Sequence, residues 1–324
     1  MRLYHAFPRS ERAERELAVG WEVFSSFLTL GMLMTPEQII YPAVSPQGVD
    51  ISKGSQINQL RCCFTLLDES EVENHSCTFG AFALEFDANE LRAIGALPVV
   101  YMPQPVRDAS GRVYGPSIVA NNIVHQLRDT AVLLQEIIKL RQHVEEHKNI
   151  SGQTLTLKTG TITFQGIEVL LDYLLGSKVS FEYMLNGIQF LSSMFYHTDS
   201  ARKETLLLES DLRYFLQREW RIVSGLMLID RELSVEEMIR LERMSEFFRQ
   251  ELILGGAVYK RAKICRVIAQ VNDSPFYNLV RKFYIPDVLM RDATQKFKEI
   301  GIPISKLCAV DYTALRARRR EVKV

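Results

Sequence analysis

The sequence predicts an α+β protein: a mixed or antiparallel sheet core with flanking helices and a helical insertion. Three observations carry this. Short apolar runs that alternate with period two recur along the chain, among them "RLYHAF", "LRCCFTLL", "FGAFALEF" and "REWRI". Segments with helical spacing stand between them, the clearest at residues 121–147. The stretch 151–210, threonine-rich at its start and apolar after it, interrupts the pattern as an insert, and no internal repeat is visible.

Taken in order, "RLYHAF" is a short strand closed by Pro8, and "ELAVGWEVFSSFLTLGMLM" has helical spacing limited by Pro36. "YPAVSPQGVDISKGSQ" carries the proline, glycine and serine of a turn region. "LRCCFTLL" reads as a strand, "SEVENHS" as a short helix, "FGAFALEF" as a strand, "ANELRAIG" as a helix ended by Gly95, and "LPVVYMP" as a strand. In the helix at 121–147, Ile123, Leu127, Leu134, Ile137 and Val144 form one stripe, widened by Val124, Ala131 and Ile138. "GQTLTLKTGTITF" is β-like, and "IEVLLDYLLG" and "FEYMLNGIQFLSSMF" are helical. "SVEEMIRLERMSEFFRQELILGG" starts on a capping box, Ser234 to Glu237, and ends at glycines. "FYI", "PDVLMRDATQKFKEIG" with Pro286 at its first turn, and "ISKLCAV" close the chain as strand, helix and strand. The domain reading is an α+β core of residues 1–120 and 211–324, with 121–210 as a helical insertion and interaction segment.

The chain has 324 residues, 47% hydrophobic and 24% charged, the mix of a globular protein with ample core. Lys+Arg and Asp+Glu are balanced at 39 each, so no overall field recruits nucleic acid or an anionic membrane. Five cysteines, two of them adjacent, argue against a disulfide framework and for a reducing compartment. The opening "MRLYHAFPRSERAERE" has no apolar signal region, and no window reaches the roughly 18 apolar residues of a membrane helix. The expectation is a cytoplasmic protein.

Alternation splits each strand into two faces. In "LRCCFTL", Cys62, Phe64 and Leu66 share the core face, and Arg61, Cys63 and Thr65 share the other. In "REWRI", Trp220 and Ile222 oppose Glu219 and Arg221, while His5 lies between Leu3 and Phe7. Three strands thus offer His5, Thr65 and Glu219 from apolar settings, the pattern of a lined cleft. Structural explanations stand beside this: a packed strand histidine, a Glu219–Arg221 pair that merely neutralises itself, and a threonine present for its β-propensity.

The motifs from His5 through Cys63-Phe64-Thr65, Glu71 and His75, Phe79-Gly80, Pro98-Val99-Tyr101 and Glu219-Trp220-Arg221 resemble the abortive-infection AbiGi family of bacterial phage-resistance proteins. The likeness covers residues 1–105 and about 212–312; the middle stretch 151–210 has no counterpart. Leu67-Asp68 replaces a more usual proline-bearing turn, and Glu85 stands where a small residue is commoner. The resemblance implies a role in phage defence within a toxin–antitoxin-like pair. The order histidine, aromatic–hydroxyl strand, late glutamate also resembles ADP-ribosyltransferases and their split sheet, an analogy at the level of the fold. It implies NAD as cofactor, with Glu219, His5 and Thr65 catalytic. Glu219 would stabilise an oxocarbenium-like centre, and Arg61 or Arg221 would hold pyrophosphate oxygens. Phe64 and His75 would complete the NAD site. The alternative is a non-catalytic antitoxin or sensor that binds a partner in the same system.

Other signals are weaker. Cys62, Cys63, His75 and Cys77 lack a CxxC pair and adjacent strand cysteines point apart, so no metal site is expected. Cys63 as a nucleophile would need a histidine such as His75. The tail with Arg316, Arg318, Arg319 and Arg320 is a solvated run or a nucleic-acid contact. The apolar helices of 121–200 need a covering surface, which predicts a homodimer.

Overall fold

The computed structural model describes residues 1–8, 15–45, 48–102, 106–107, 113–114, 116–147, 154–157, 160–163, 195–197, 218–224, 229–254 and 257–322, with single positions between 166 and 191. The chain divides into two units. One comprises Met1–Ile40, Gln56–Tyr101 and Ala201–Val324; the other comprises Tyr41–Ser55 and Met102–Ser200.

Among the described residues ten strands make one sheet: β1 (Arg2–Phe7), β2 (Met32–Ser45), β3 (Gly48–Leu66), β4 (Phe82–Asp87), β5 (Leu97–Pro98), β6 (Glu219–Val223), β7 (Arg231–Glu232), β8 (Arg266–Ile268), β9 (Val280–Pro286) and β10 (Leu307–Val310). Their order is β7-β8-β2-β3-β1-β4-β9-β10, and β6 pairs with both β3 and β5. β9 and β10 are parallel, whereas β1 is antiparallel to both of its neighbours. The α+β class with a mixed, mostly antiparallel sheet is therefore as expected. The helices are α1 (Glu16–Leu30), α2 (Val72–Phe79), α3 (Ala88–Ala93), α4 (Pro116–His147), α5 (Val235–Met244), α6 (Glu246–Arg249), α7 (Arg261–Ile264), α8 (Met290–Ile300) and α9 (Tyr312–Val322). No helix among the described residues is long and apolar enough to cross a membrane.

The main core lies where α1 and α8 meet the sheet. Leu3 and Phe7 of β1, Phe82, Leu84 and Phe86 of β4, and Phe283 of β9 share one cluster with Phe24, Phe27 and Phe297 of the helices. The rings of Phe283 and Phe297 meet edge to face at 4.9 Å, a geometry their quadrupoles favour. Alternation explains the strand contribution: on β1, Leu3 and Phe7 point to this core, while Tyr4 joins Leu67, Val72 and Tyr284 in a second cluster.

Three local expectations are corrected. The first helix stops at Leu30 instead of running through Met34, because Gly31 adopts φ +103° and a Cβ there would lie 2.2 Å from the Ile268 carbonyl oxygen. Met32 and Met34 then alternate into the core from β2. Of the turn region at 41–56, residues 41–45 and 48–56 belong to the long strands β2 and β3, whose pairing overrides their turn residues, and 46–47 lie outside the described residues. The helix expected over 234–254 ends at Met244: its capping box is present, but Ser245 caps a second short helix and Glu251–Leu254 pairs with Ala257–Lys260 as a hairpin. The glycine pair expected to stop the helix lies outside the described residues.

The closing strand–helix–strand is formed by β9, α8 and β10, with Gly301 at φ +82° ending α8. In the second unit, α4 spans the expected long helix, and Ala131, Leu134 and Val144 of its stripe are buried while Ile123 is exposed. "GQTLTLKTGTITF" contains an antiparallel pair, Thr154–Leu157 with Gly160–Thr163. The two helices expected after it lie largely outside the described residues.

Candidate functional site

The strand registers place each candidate. Glu219 pairs with Thr65, Arg221 with Cys63 and Val223 with Arg61, so these side chains share one face of β3 and β6. Cys62, Phe64 and Ile222 occupy the other face and are 1–3% exposed. Phe64 is thus a core residue in T-shaped contact with Phe86 at 5.5 Å.

On the first face the charges are arranged in a row. Arg61 donates through Nε to Glu37 Oε2 at 2.6 Å, with a second contact from Nη2. Arg221 donates through Nε to Glu219 Oε1 at 2.6 Å. Both guanidinium side chains are 3% exposed, Glu219 is 14% exposed and Glu37 is 45% exposed. Two positive and two negative charges therefore cancel across β2, β3 and β6, as buried charges must. Cys63 lies within this row, and its thiol is pushed up to about 12, by burial first and the Glu219 charge second. It stays protonated and does not serve as a thiolate nucleophile near neutral pH.

Thr65 and His75 are brought together: His75 Nε2 lies 3.0 Å from Thr65 Oγ1, and the imidazole stacks on Phe79 at 4.4 Å. α2 carries both rings at i and i+4, which is why they stack. Burial first and the nearby His5 second push the His75 pKa down to about 4, against a smaller opposing effect of Glu71. His75 Nδ1 is buried without a hydrogen-bond partner among the described residues.

His5 is not on this face. Tyr4 is the residue of β1 that pairs with Thr65, so His5 points to the opposite side, with its ring 5.8 Å from that of Phe64. The ladder between β1 and β3 covers only Leu3–Leu66 and Tyr4–Thr65. Where it ends, His5 Nδ1–H donates to the Cys63 carbonyl at 2.7 Å and satisfies a backbone acceptor. Burial holds this imidazole below its usual pKa. Beside it lies a cavity of about 70 Å³ lined by His5, Phe7, Phe27, Met32, Leu84 and Met244. The single cleft expected of His5, Thr65 and Glu219 is therefore not formed, because the one-residue step from Tyr4 to His5 crosses the sheet.

This arrangement does not fit NAD on the residues the resemblance implied. Arg61 and Arg221 are each held by a carboxylate and buried, Phe64 is covered in the core, and His5 and Glu219 face opposite sides. What the row does is tie three strands together through compensated charge. Among the described residues no group of His, Cys, Asp and Glu is placed to hold a metal ion. The C-terminal run is helical where described, with Arg318 3.1 Å from Glu73 of α2.

Two carboxylates that pair with buried groups are not singled out by the sequence, half-exposed Glu37 and buried Glu85. Glu37 stands on a strand whose sequence resembles a helix end followed by a turn region; its signal is the alternation of buried Met34 and Pro36 with half-buried Thr35 and Glu37. Glu85, 3% exposed, accepts hydrogen bonds from Tyr4 Oη at 3.2 Å and Tyr284 Oη at 2.9 Å and pairs with Arg2 at 3.3 Å. Its signal was a glutamate inside "FALEF". Comparison of the chain with protein-family models, curated proteins and solved structures gave no match to any of them.

Proposed function

We propose that this chain is a non-catalytic binding protein of a bacterial anti-phage system, acting as an antitoxin or sensor for a partner in that system. The defence setting rests on the order of motifs from His5 to Glu219-Trp220-Arg221. The observation that carries the non-catalytic reading is the Glu219–Arg221 pair at 2.6 Å, buried and charge-compensated, with His5 on the other face of the sheet. A carboxylate that must stabilise a developing positive charge has to be available to substrate; this one is already committed to a guanidinium.

The test is expression in a bacterium, alone and with the product of the neighbouring gene. Alone, the chain should leave growth and cellular NAD unchanged; together, the two proteins should co-elute in a defined ratio. Growth arrest with NAD loss, abolished by Glu219→Gln at unchanged protein level, would overturn the reading in favour of an NAD-consuming transferase.

A further inference from the structure

Between α1 and α5 lies a cleft of about 360 Å³ that shares no residue with the row of charges. Trp21, Glu22, Ser25 and Ser26 line it from α1, and Arg240, Arg243 and Met244 line it from α5. The spacing accounts for this: residues three and four apart share a helix face, so Trp21 and Ser25 face Arg240 and Arg243 across the groove. Two contacts set the register of the helices, Ser26 Oγ to Met244 Sδ at 3.8 Å and Arg240 Nη1 to Thr29 Oγ1 at 3.4 Å.

The cleft is rich in hydrogen-bond donors. Arg243 has no ion-pair or hydrogen-bond partner among the described residues, and Arg240 has only the 3.4 Å contact to Thr29. The Trp21 indole N–H and the Ser25 hydroxyl are likewise unused as donors among the described residues. The other arginines of this unit mostly behave differently: Arg61, Arg218, Arg221, Arg231, Arg266, Arg281 and Arg318 all meet carboxylates. Two guanidinium groups three residues apart, neither in an ion pair among the described residues, stand beside a half-buried indole, an arrangement suited to an anion that carries an aromatic ring. Glu22 adds one acceptor suited to a hydroxyl. The floor is Met244, 8% exposed, and the volume falls in the roughly 300–1,000 Å³ range of small-molecule sites.

We infer that this cleft binds a nucleoside phosphate, the phosphate on Arg240 and Arg243, the base against Trp21 and a ribose hydroxyl at Glu22. The site goes beyond the partner-binding reading and does not depend on it. A mononucleotide suits it better than a polynucleotide because the volume of about 360 Å³ between the two helices has room for one base and its sugar phosphate.

Titration calorimetry on the full chain with AMP, GMP, adenosine, inorganic phosphate and a 20-nucleotide RNA tests this. A mononucleotide should bind at least tenfold more tightly than either adenosine or phosphate alone and quench tryptophan fluorescence. Arg243→Gln, at an exposed position, should weaken binding at least tenfold with an unchanged circular dichroism spectrum. Trp21→Phe should remove the quenching and leave the unquenched emission of Trp220, which lies outside the cleft. No binding of either mononucleotide at millimolar concentration would overturn the inference. So would affinity unchanged in the Arg240→Gln/Arg243→Gln double variant, or RNA bound more tightly per site than any mononucleotide.

Discussion

Glu219→Gln removes one charge and almost no volume from the buried row. Its partner Arg221 is 3% exposed and bonded at 2.6 Å. Removing one member of a fully buried ion pair costs roughly 3–5 kcal/mol, because the other charge is left uncompensated. Two features reduce this: glutamine keeps an oxygen that accepts from Arg221, and 14% exposure at Glu219 admits some water. One feature raises it: Arg61 and Arg221 already repel each other, and the carboxylate of the row left to offset them would be Glu37. The expected loss is about 2–3 kcal/mol. With a urea dependence of about 2 kcal/mol per molar, the unfolding midpoint falls by about 1 M. Trp220, between the two residues on β6, supplies the fluorescence probe. Adding Arg221→Met should recover most of the loss, since well-packed apolar replacements of buried pairs are often neutral. A Glu219→Gln variant within about 0.5 kcal/mol of the parent would refute the reasoning, and with it the claim that the carboxylate is committed to structure.

Two further outcomes can be tested. His75 has a folded pKa of about 4 against 6.5 when unfolded, so the fold favours its neutral form. The stability this supplies is complete above pH 6.5 and is lost as pH falls toward 4, by about 3 kcal/mol at most. Urea midpoints between pH 7.5 and 4.5 should decline less in His75→Gln than in the parent; equal slopes would sink the assignment. The proposed homodimer through residues 121–200 should give a dimer mass by light scattering at micromolar concentration, and a monomer refutes it. Leu133→Glu is the variant to use, because Leu133 is 60% exposed whereas Leu134 is 5% exposed and packs within its own unit.

The two-face reading of "LRCCFTL" and "REWRI" came directly from alternation, since a strand turns successive side chains to opposite sides whatever surrounds it. The order of most elements was legible for a similar reason: the Ser234–Glu237 cap and the helix after Pro286 depend on residues within one turn. Boundaries failed where an apolar run suits either state. "GMLM" could continue a helix or begin a strand, and Gly31 against the Ile268 carbonyl decides between them through a partner far along the chain.

What the sequence determined by itself, then, was the class, the strand faces and the polar character of Arg61, Thr65, Glu219 and Arg221. It could not say which side of the sheet each strand would turn toward the others. His5 was grouped with Thr65 and Glu219 because all three interrupt apolar runs. The register that pairs Tyr4 with Thr65 separates them, since side-chain direction alternates at every residue and a single step decides the face. The tertiary structure likewise decided that Glu37 meets Arg61 across 24 residues and that Arg243 meets no carboxylate among the described residues. A charge in a sequence is only a charge; whether it is compensated depends on what folding brings within about 4 Å of it.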